Sequence, residues 1–253
     1  MDHKVSVAYS ELTRVLPWSL RALGYKFGTA DRGAHLAATA AAIDPAALDA
    51  IAAAGPRPGR GPTMHRTSEG LAIEARNVSL LEIGPAAVDY LAAHADKSLH
   101  KTCTIVGATE TALLPAIVAG AEVYGLGCLA IVAGGAWHFV YRDREGSVLV
   151  AGGDASDLPG LLGGDPQLAL VAQSRGDVPG TVRLLVGKKL ELASFPKSAV
   201  RPAQLIRQAQ CRGIAVSQAT LDAIYGLEML TWAPTSERSR SQAGFSVNAS
   251  PQQ

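Results

Sequence analysis

The sequence is short of net charge, of cysteine and of uninterrupted hydrophobic runs. Its 253 residues carry 23 Lys+Arg against 22 Asp+Glu, a formal net charge of +1. A protein that grips a phosphate backbone shows a clear basic excess, so general nucleic-acid binding is excluded. The three cysteines (Cys103, Cys128, Cys211) include no C-x-x-C pair. That sparse, odd set excludes a disulfide framework and a metal finger, and fits reduced thiols. The opening Met1-Asp-His-Lys lacks the basic and apolar regions of a secretory signal. The longest uncharged run, Val123 to Tyr141, contains Gly125, Gly127, Gly134, Gly135 and His138. It reads as a turn and two strands, not as a membrane span. These absences predict a cytoplasmic protein with no nucleic-acid and no membrane partner.

What is present is a change of hydrophobic period along the chain. Residues 5 to about 54 read as helices, with Leu12, Val15, Leu16, Leu20 and Leu23 near helical spacing. Gly24 is placed as a helix stop, Thr29 as the next N-cap, and Asp44-Pro45 as a further start. Pro56-Arg-Pro-Gly-Arg-Gly-Pro62 reads as a linker. From Leu71 the pattern alternates: strands at Leu71–Ala75, Thr102–Val106, Cys128–Ala133, Trp137–Tyr141, Ser147–Ala151 and Thr181–Val186. Helices are expected at Pro85–His94, Thr109–Ala121, Pro202–Cys211 and Gln218–Leu230, and a Gly/Asp/Pro loop at Gly152–Pro166. The expected class is α/β: a helical N-terminal region (1–60), a central mixed sheet with flanking helices (61–200), and C-terminal helices with a polar tail (201–253).

Few motifs carry chemistry. Gly125-Leu-Gly127-Cys-Leu-Ala130 matches G-x-G-x-x-A, but its order is helix, glycines, strand. A dinucleotide fingerprint needs a strand before and a helix after, so that a helix N-terminus meets the diphosphate. Ser194-Phe-Pro-Lys197 has the S-x-x-K spacing, yet Pro196 breaks the helical turn that would bring the amine to the hydroxyl. The six histidines form no i, i+4 pair and no ligand cluster, so no metal site is expected. His138, beside Trp137 after the Gly134-Gly135 turn, stands at the end of a strand, where α/β proteins often place ligands.

Three stretches resemble the bacterial domain-of-unknown-function family 3726. They are Val5-Ser-Val-Ala-Tyr-Ser-Glu11 with Arg21 through Asp31, then Glu110-Thr-Ala-Leu-Leu-Pro115, then Trp232 through Gly244, in which Pro234, Ser236, Glu237, Ser239 and Arg240 match. The chain departs from that family's ending at Phe245-Ser-Val-Asn248. A more distant resemblance, spanning most of the chain, is to the type-2 malate/L-lactate dehydrogenases, which are unrelated to Rossmann dehydrogenases. It rests on the opening helices, on Ile83-Gly84-Pro-Ala-Ala-Val-Asp-Tyr-Leu, on Thr104-Ile-Val through Gly127-Cys-Leu-Ala-Ile-Val, and on Cys211-Arg-Gly213-Ile-Ala-Val-Ser-Gln-Ala-Thr-Leu. That family's acid–base histidine would fall near Ala41 to Asp44, where this sequence has none, and its later histidine pair becomes Ala108-Thr109-Glu110.

The resemblances imply a small-molecule enzyme acting on a small carboxylated metabolite, on a scaffold whose acid–base histidine is missing. Arg21, Glu237, Arg240 and His138 are the candidate catalytic residues, with Ser236, Ser239 and Asp31 binding substrate. An Arg can hold a carboxylate bidentately, and a Glu beside it can move a proton. Two other readings stay open. One is a non-catalytic subunit or binding protein, as a homodimer or with an enzyme partner. The other is an NAD(P)H-dependent reductase of a 2-oxo acid or cyclic imine. The cofactor is left undecided, with NAD(P) as the candidate.

Overall fold

The computed structural model describes residues 3–67, 70–95, 100–143, 145–157, 180–188, 190 and 199–231. Nine strands and seven α-helices are found among them. In chain order these are β1 (Lys4–Val7), α1 (Tyr9–Ala22), α2 (Phe27–Ile43), α3 (Ala46–Ala52), β2 (Thr63–Arg66), β3 (Gly70–Glu74), α4 (Leu80–His94), β4 (Lys101–Val106), α5 (Leu114–Gly120), β5 (Gly127–Val132), β6 (Ala136–Arg142), β7 (Val148–Asp154), β8 (Val182–Gly187), α6 (Pro202–Arg212), β9 (Ile214–Ser217) and α7 (Gln218–Leu230). Seven strands form one mixed sheet in the order β2-β3-β4-β8-β5-β6-β7, and β1 pairs with β9 in a separate ribbon. Only β3 and β4 run parallel; every other pairing is antiparallel.

Alternation along β5 and β6 sorts the side chains. Cys128, Ala130 and Val140 join the main core, which also holds Leu16, Leu48, Leu91, Ile105 and Leu114 from the surrounding elements. Leu129, Ile131, Trp137 and Phe139 pack on the opposite face with Leu185 and Leu190. Fully burying a side chain such as Phe139 contributes roughly 2–3 kcal/mol. Two helix crossings are close because glycine permits them. A Cβ on Gly33 of α2 would come 2.1 Å from Leu81 of α4, and one on Gly84 of α4 would come 2.5 Å from Ile117 of α5. No helix among the described residues is long and apolar enough to cross a membrane.

Several expectations need correction. Residues 4–7 are a strand, because alternating Val5 and Val7 pair across to Val216 and Ile214 from the far end of the chain. The helix expected after Thr29 begins at Phe27: Lys26 is the extended residue before it, and its carbonyl accepts from Ala30. Thr109–Ala121 is not one helix, because Glu110 adopts a left-handed conformation and only Leu114–Gly120 is α-helical. Gly152 to Asp154, read as loop, belongs to β7 and pairs with Ala136 to His138. Strands β2 and β9 carried no expectation. Ala155–Asp157 of that loop form a 3₁₀ turn, while its residues 158–166, Ser194 to Lys197 and the tail from Trp232 lie outside the described residues.

Candidate functional site

Register gathers one end of the sheet. Ile105 near the end of β4 faces Val182 of β8, Val132 at the end of β5 faces the same residue, and His138 on β6 faces Gly152 on β7. The carboxyl ends of β3, β4, β5 and β7 therefore lie together with the starts of β6 and β8. Backbone bonds tie the turns there: Ala108 N–H donates to Gly180 and Ala133 N–H to Thr181. Arg76, Asn77 and Glu110, with φ of 54°, 64° and 54°, are the positive-φ non-glycine residues of the described chain. All three follow β3 or β4 at this end. Such conformations persist where the surroundings over-determine them, and they cluster at functional sites.

His138 is set into the helix-facing side of this end. Burial pushes its imidazole down to about 4, against the opposing pull of the Asp44 carboxylate at the α2–α3 corner. The ring is neutral at physiological pH. It fits because its cross-strand neighbour is Gly152, where a Cβ would stand 2.8 Å from Nδ1. On the opposite face the Trp137 indole lies over Gly153, and its buried Nε1 has no hydrogen-bond partner among the described residues.

A second group surrounds the start of α4. Ser79 caps that helix by accepting from Leu81 N–H at 3.0 Å. Its hydroxyl also meets buried Tyr25, whose phenol burial pushes up, with Glu110 and Glu82 adding to the rise. Arg57, from the proline-rich segment read as a linker, holds Glu82 through two bonds of 2.6 and 2.7 Å. The Glu110 carboxylate accepts from Thr109 Oγ1 at 2.5 Å, and the short 3₁₀ turn that follows packs against α2 and α3.

Of the residues singled out from sequence, Arg21 and Asp31 are brought together: Nη2 and Oδ1 are 2.6 Å apart. The Arg21 guanidinium lies over the rings of Trp18 and Phe27, at 4.5 and 4.2 Å, and its buried Nε has no hydrogen-bond partner among the described residues. No hydrogen bond, ion pair or ring contact links Arg21 to His138. Ser236, Glu237, Ser239 and Arg240 lie outside the described residues. Sequence reasoning missed Tyr25, Arg57, Ser79 and Glu82, and took Asp44 only as a cap. The one available signal was the polar, turn-forming run Arg76-Asn77 before Ser79, directly after a strand.

A dinucleotide finds little prepared here. The α4 N-terminus points at this end, but its first amides are spent: Leu80 on Thr109 O, Leu81 on Ser79 Oγ, Glu82 and Ile83 on Ser79 O. The Gly125–Ala130 segment runs from a 3₁₀ turn into β5, with no helix N-terminus behind it. Neither of these two elements offers free backbone amides to a nicotinamide diphosphate. Nor, among the described residues, do three His, Cys, Asp or Glu gather as a metal would need.

No family model and no curated protein matches the sequence. Solved structures do resemble the fold. Malate dehydrogenase from Entamoeba histolytica matches with a TM-score of 0.64 at 8% identity, covering 92% of this chain and 99% of that one. A dehydrogenase from Sinorhizobium meliloti matches at 0.63 and 13% identity, covering 89% and 100%. A delta1-piperideine-2-carboxylate reductase from Pseudomonas syringae matches at 0.55 and 13% identity, covering 88% and 99%. At these identities the likeness is one of fold: the chain shares the architecture of these solved structures.

Proposed function

We propose that this chain is an enzyme acting on a small carboxylated metabolite at the strained end of its sheet, with His138 as the acid–base group. The observation that carries this reading is the placing of a neutral, desolvated imidazole within the field of Asp44. The dehydrogenase resemblance puts the acid–base histidine near Ala41 to Asp44. On our reading an imidazole reaches that corner from β6 instead of from α2. An imidazole near 4 is a weak base in the free protein. A bound carboxylate adds negative charge and raises it toward neutrality, so that proton transfer becomes effective with the substrate in place. Arg76, exposed at the same end and 3.4 Å from Glu74, is the cation we assign to the carboxylate. Arg240 and Glu237, with Ser236 and Ser239, complete the proposal from the tail, while Arg21 and Asp31 serve as a preset ion pair.

The test is a thermal-shift screen of the whole chain against small 2-oxo, 2-hydroxy and cyclic amino acids, with and without nicotinamide dinucleotides. Binding to the native state raises the melting temperature. A rise of several degrees with an acid alone, reduced in His138→Gln, is the expected result. A shift that requires NAD(P)H moves the reading to a reductase of the kind named among the structural neighbours. No shift with any compound favours a non-catalytic subunit that kept the fold.

A further inference from the structure

At the opposite end of the sheet, β2 finishes, β3 and β4 begin, and α4 ends. A pocket of about 130 Å³ lies among them. Arg66 and Thr67 line it from the β2–β3 hairpin, Tyr90 and His94 from the end of α4, and Lys101 from the start of β4. The described lining is rich in donors and contains no carboxylate. The side chains of Arg66 and Lys101 have no ion pair or hydrogen bond among the described residues. Thr67 Oγ1 accepts from Gly70 N–H at 3.0 Å, which leaves its own proton to donate. His94 is fixed as a wall: its Nδ1 donates to Tyr90 O at 2.8 Å, and the two rings stack with centroids 4.2 Å apart. With Glu69, Asp96 and Lys97 counted, which adjoin the pocket in sequence, cations remain in excess.

We infer that this pocket binds the phosphate group of a small molecule. Arg66 and Lys101 arrive from different strands and bring two positive charges to one concavity without a counter-charge. A cation drawn partly out of water loses hydration, and an anion restores that loss through charge-assisted hydrogen bonds. A phosphate presents acceptor oxygens in several directions at once. That matches donors approaching from a hairpin, a helix end and a strand start, whereas the two oxygens of a planar carboxylate meet fewer of them. The pocket lies about 17 Å along β4 from the candidate site, the rise of a six-residue strand, so the inference does not rest on the proposed activity.

Isothermal titration calorimetry of the full chain tests this, in phosphate-free buffer at fixed ionic strength. The probes are inorganic phosphate and glycerol 3-phosphate, and saturable binding is expected. Arg66→Gln and Lys101→Gln each weaken it by at least roughly 10-fold, the scale of one hydrogen bond to a charged group. Thermal melts without phosphate verify that both variants keep the fold. Lys4→Gln, at an exposed cation on β1, leaves binding unchanged. Tighter binding of the ester supports the site and makes a phosphorylated metabolite its occupant. Binding of inorganic phosphate that is equal or tighter supports the site and makes the free ion its occupant. The absence of saturable binding with either probe overturns the inference. Binding that survives both pocket substitutions, or that falls equally in Lys4→Gln, overturns it as well.

Discussion

His138 and Gly152 face each other across β6 and β7 so closely that a Cβ on the glycine would stand 2.8 Å from the imidazole Nδ1 and 3.1 Å from the carbonyl of Trp137. The ring can tilt away, but the carbonyl belongs to the paired strand and cannot. Gly152→Ala therefore rotates the imidazole out of its present seat and costs about 1–3 kcal/mol, as overpacking does. The expected result is a chain that still folds, with displaced His138 ring resonances and a reduced thermal response to any acid that stabilises wild type. Unchanged ring resonances in the alanine variant would show that His138 does not rest on this glycine.

The depressed imidazole also fixes a pH dependence. His138 titrates at about 4 in the folded chain against 6.5 ordinarily. As pH falls through that window the unfolded chain takes up a proton that the native chain refuses, so stability drops from about pH 6.5 to about pH 4. Glu11 adds a lower limb. Hydrogen bonds from Arg14 and then Tyr225 hold its carboxyl at about 2 instead of 4.5. That contribution is complete above about pH 4.5 and is lost as pH falls toward 2. Urea unfolding across a pH series should show both limbs, with His138→Phe flattening the upper and Glu11→Gln the lower. An upper limb that persists in His138→Phe would assign it to other groups.

Arg57 and Glu82 join the proline-rich segment to the first turn of α4, and Arg57 N–H also donates to Leu23 O. Their side chains are only 23% and 21% exposed, so either partner alone is left poorly solvated. Removing one costs about 2 kcal/mol, between the surface and buried limits. For a chain of this size that lowers the melting temperature by about 4–8 °C. Arg57→Ala and Glu82→Ala should each show the drop, and the double variant should lose much less than the sum. Strict additivity would mean that the two residues act independently.

Much of this fold could be read from residue order, and the reasons for the exceptions are physical. Gln218–Leu230 was legible to the residue because Ser217 precedes an apolar repeat and caps it, accepting from Thr220 N–H. The β6–β7 pair was legible from alternation on either side of the Arg142–Gly146 turn. Strands β1 and β9 were not, since each has four residues and its partner lies some two hundred positions away. The site divides in the same manner. His138 stood out because a histidine after paired glycines is a local pattern. Its neighbour Asp44 did not, because helix packing brings an exposed cap to a strand with no trace in sequence spacing. Arg57 was masked by its setting, as prolines and glycines on both sides look like a free linker while the guanidinium anchors the segment.

Glu110 offers a direct test of whether strain at this end serves a function. Its φ of 54° costs an L-residue about 1–2 kcal/mol relative to glycine. Two bonds hold it there, Leu113 N–H to its own carbonyl and Leu80 N–H to that of Thr109; both use main-chain atoms that any residue retains. Glu110→Gly relieves the strain and adds about 0.5–1 kcal/mol of unfolded-chain entropy to be overcome. The balance is a gain of about 0.5–1 kcal/mol, or a rise of about 1–4 °C. Glu110→Gln keeps the strained backbone and weakens the bond to Thr109, so it should not gain. If the carboxylate is held there for ligand or proton handling, both variants lose the thermal response to acids while only the glycine variant becomes more stable. A glycine variant that melts below wild type would mean that the carboxylate contributes more to the fold than its backbone costs, and Glu110 would then be a structural residue.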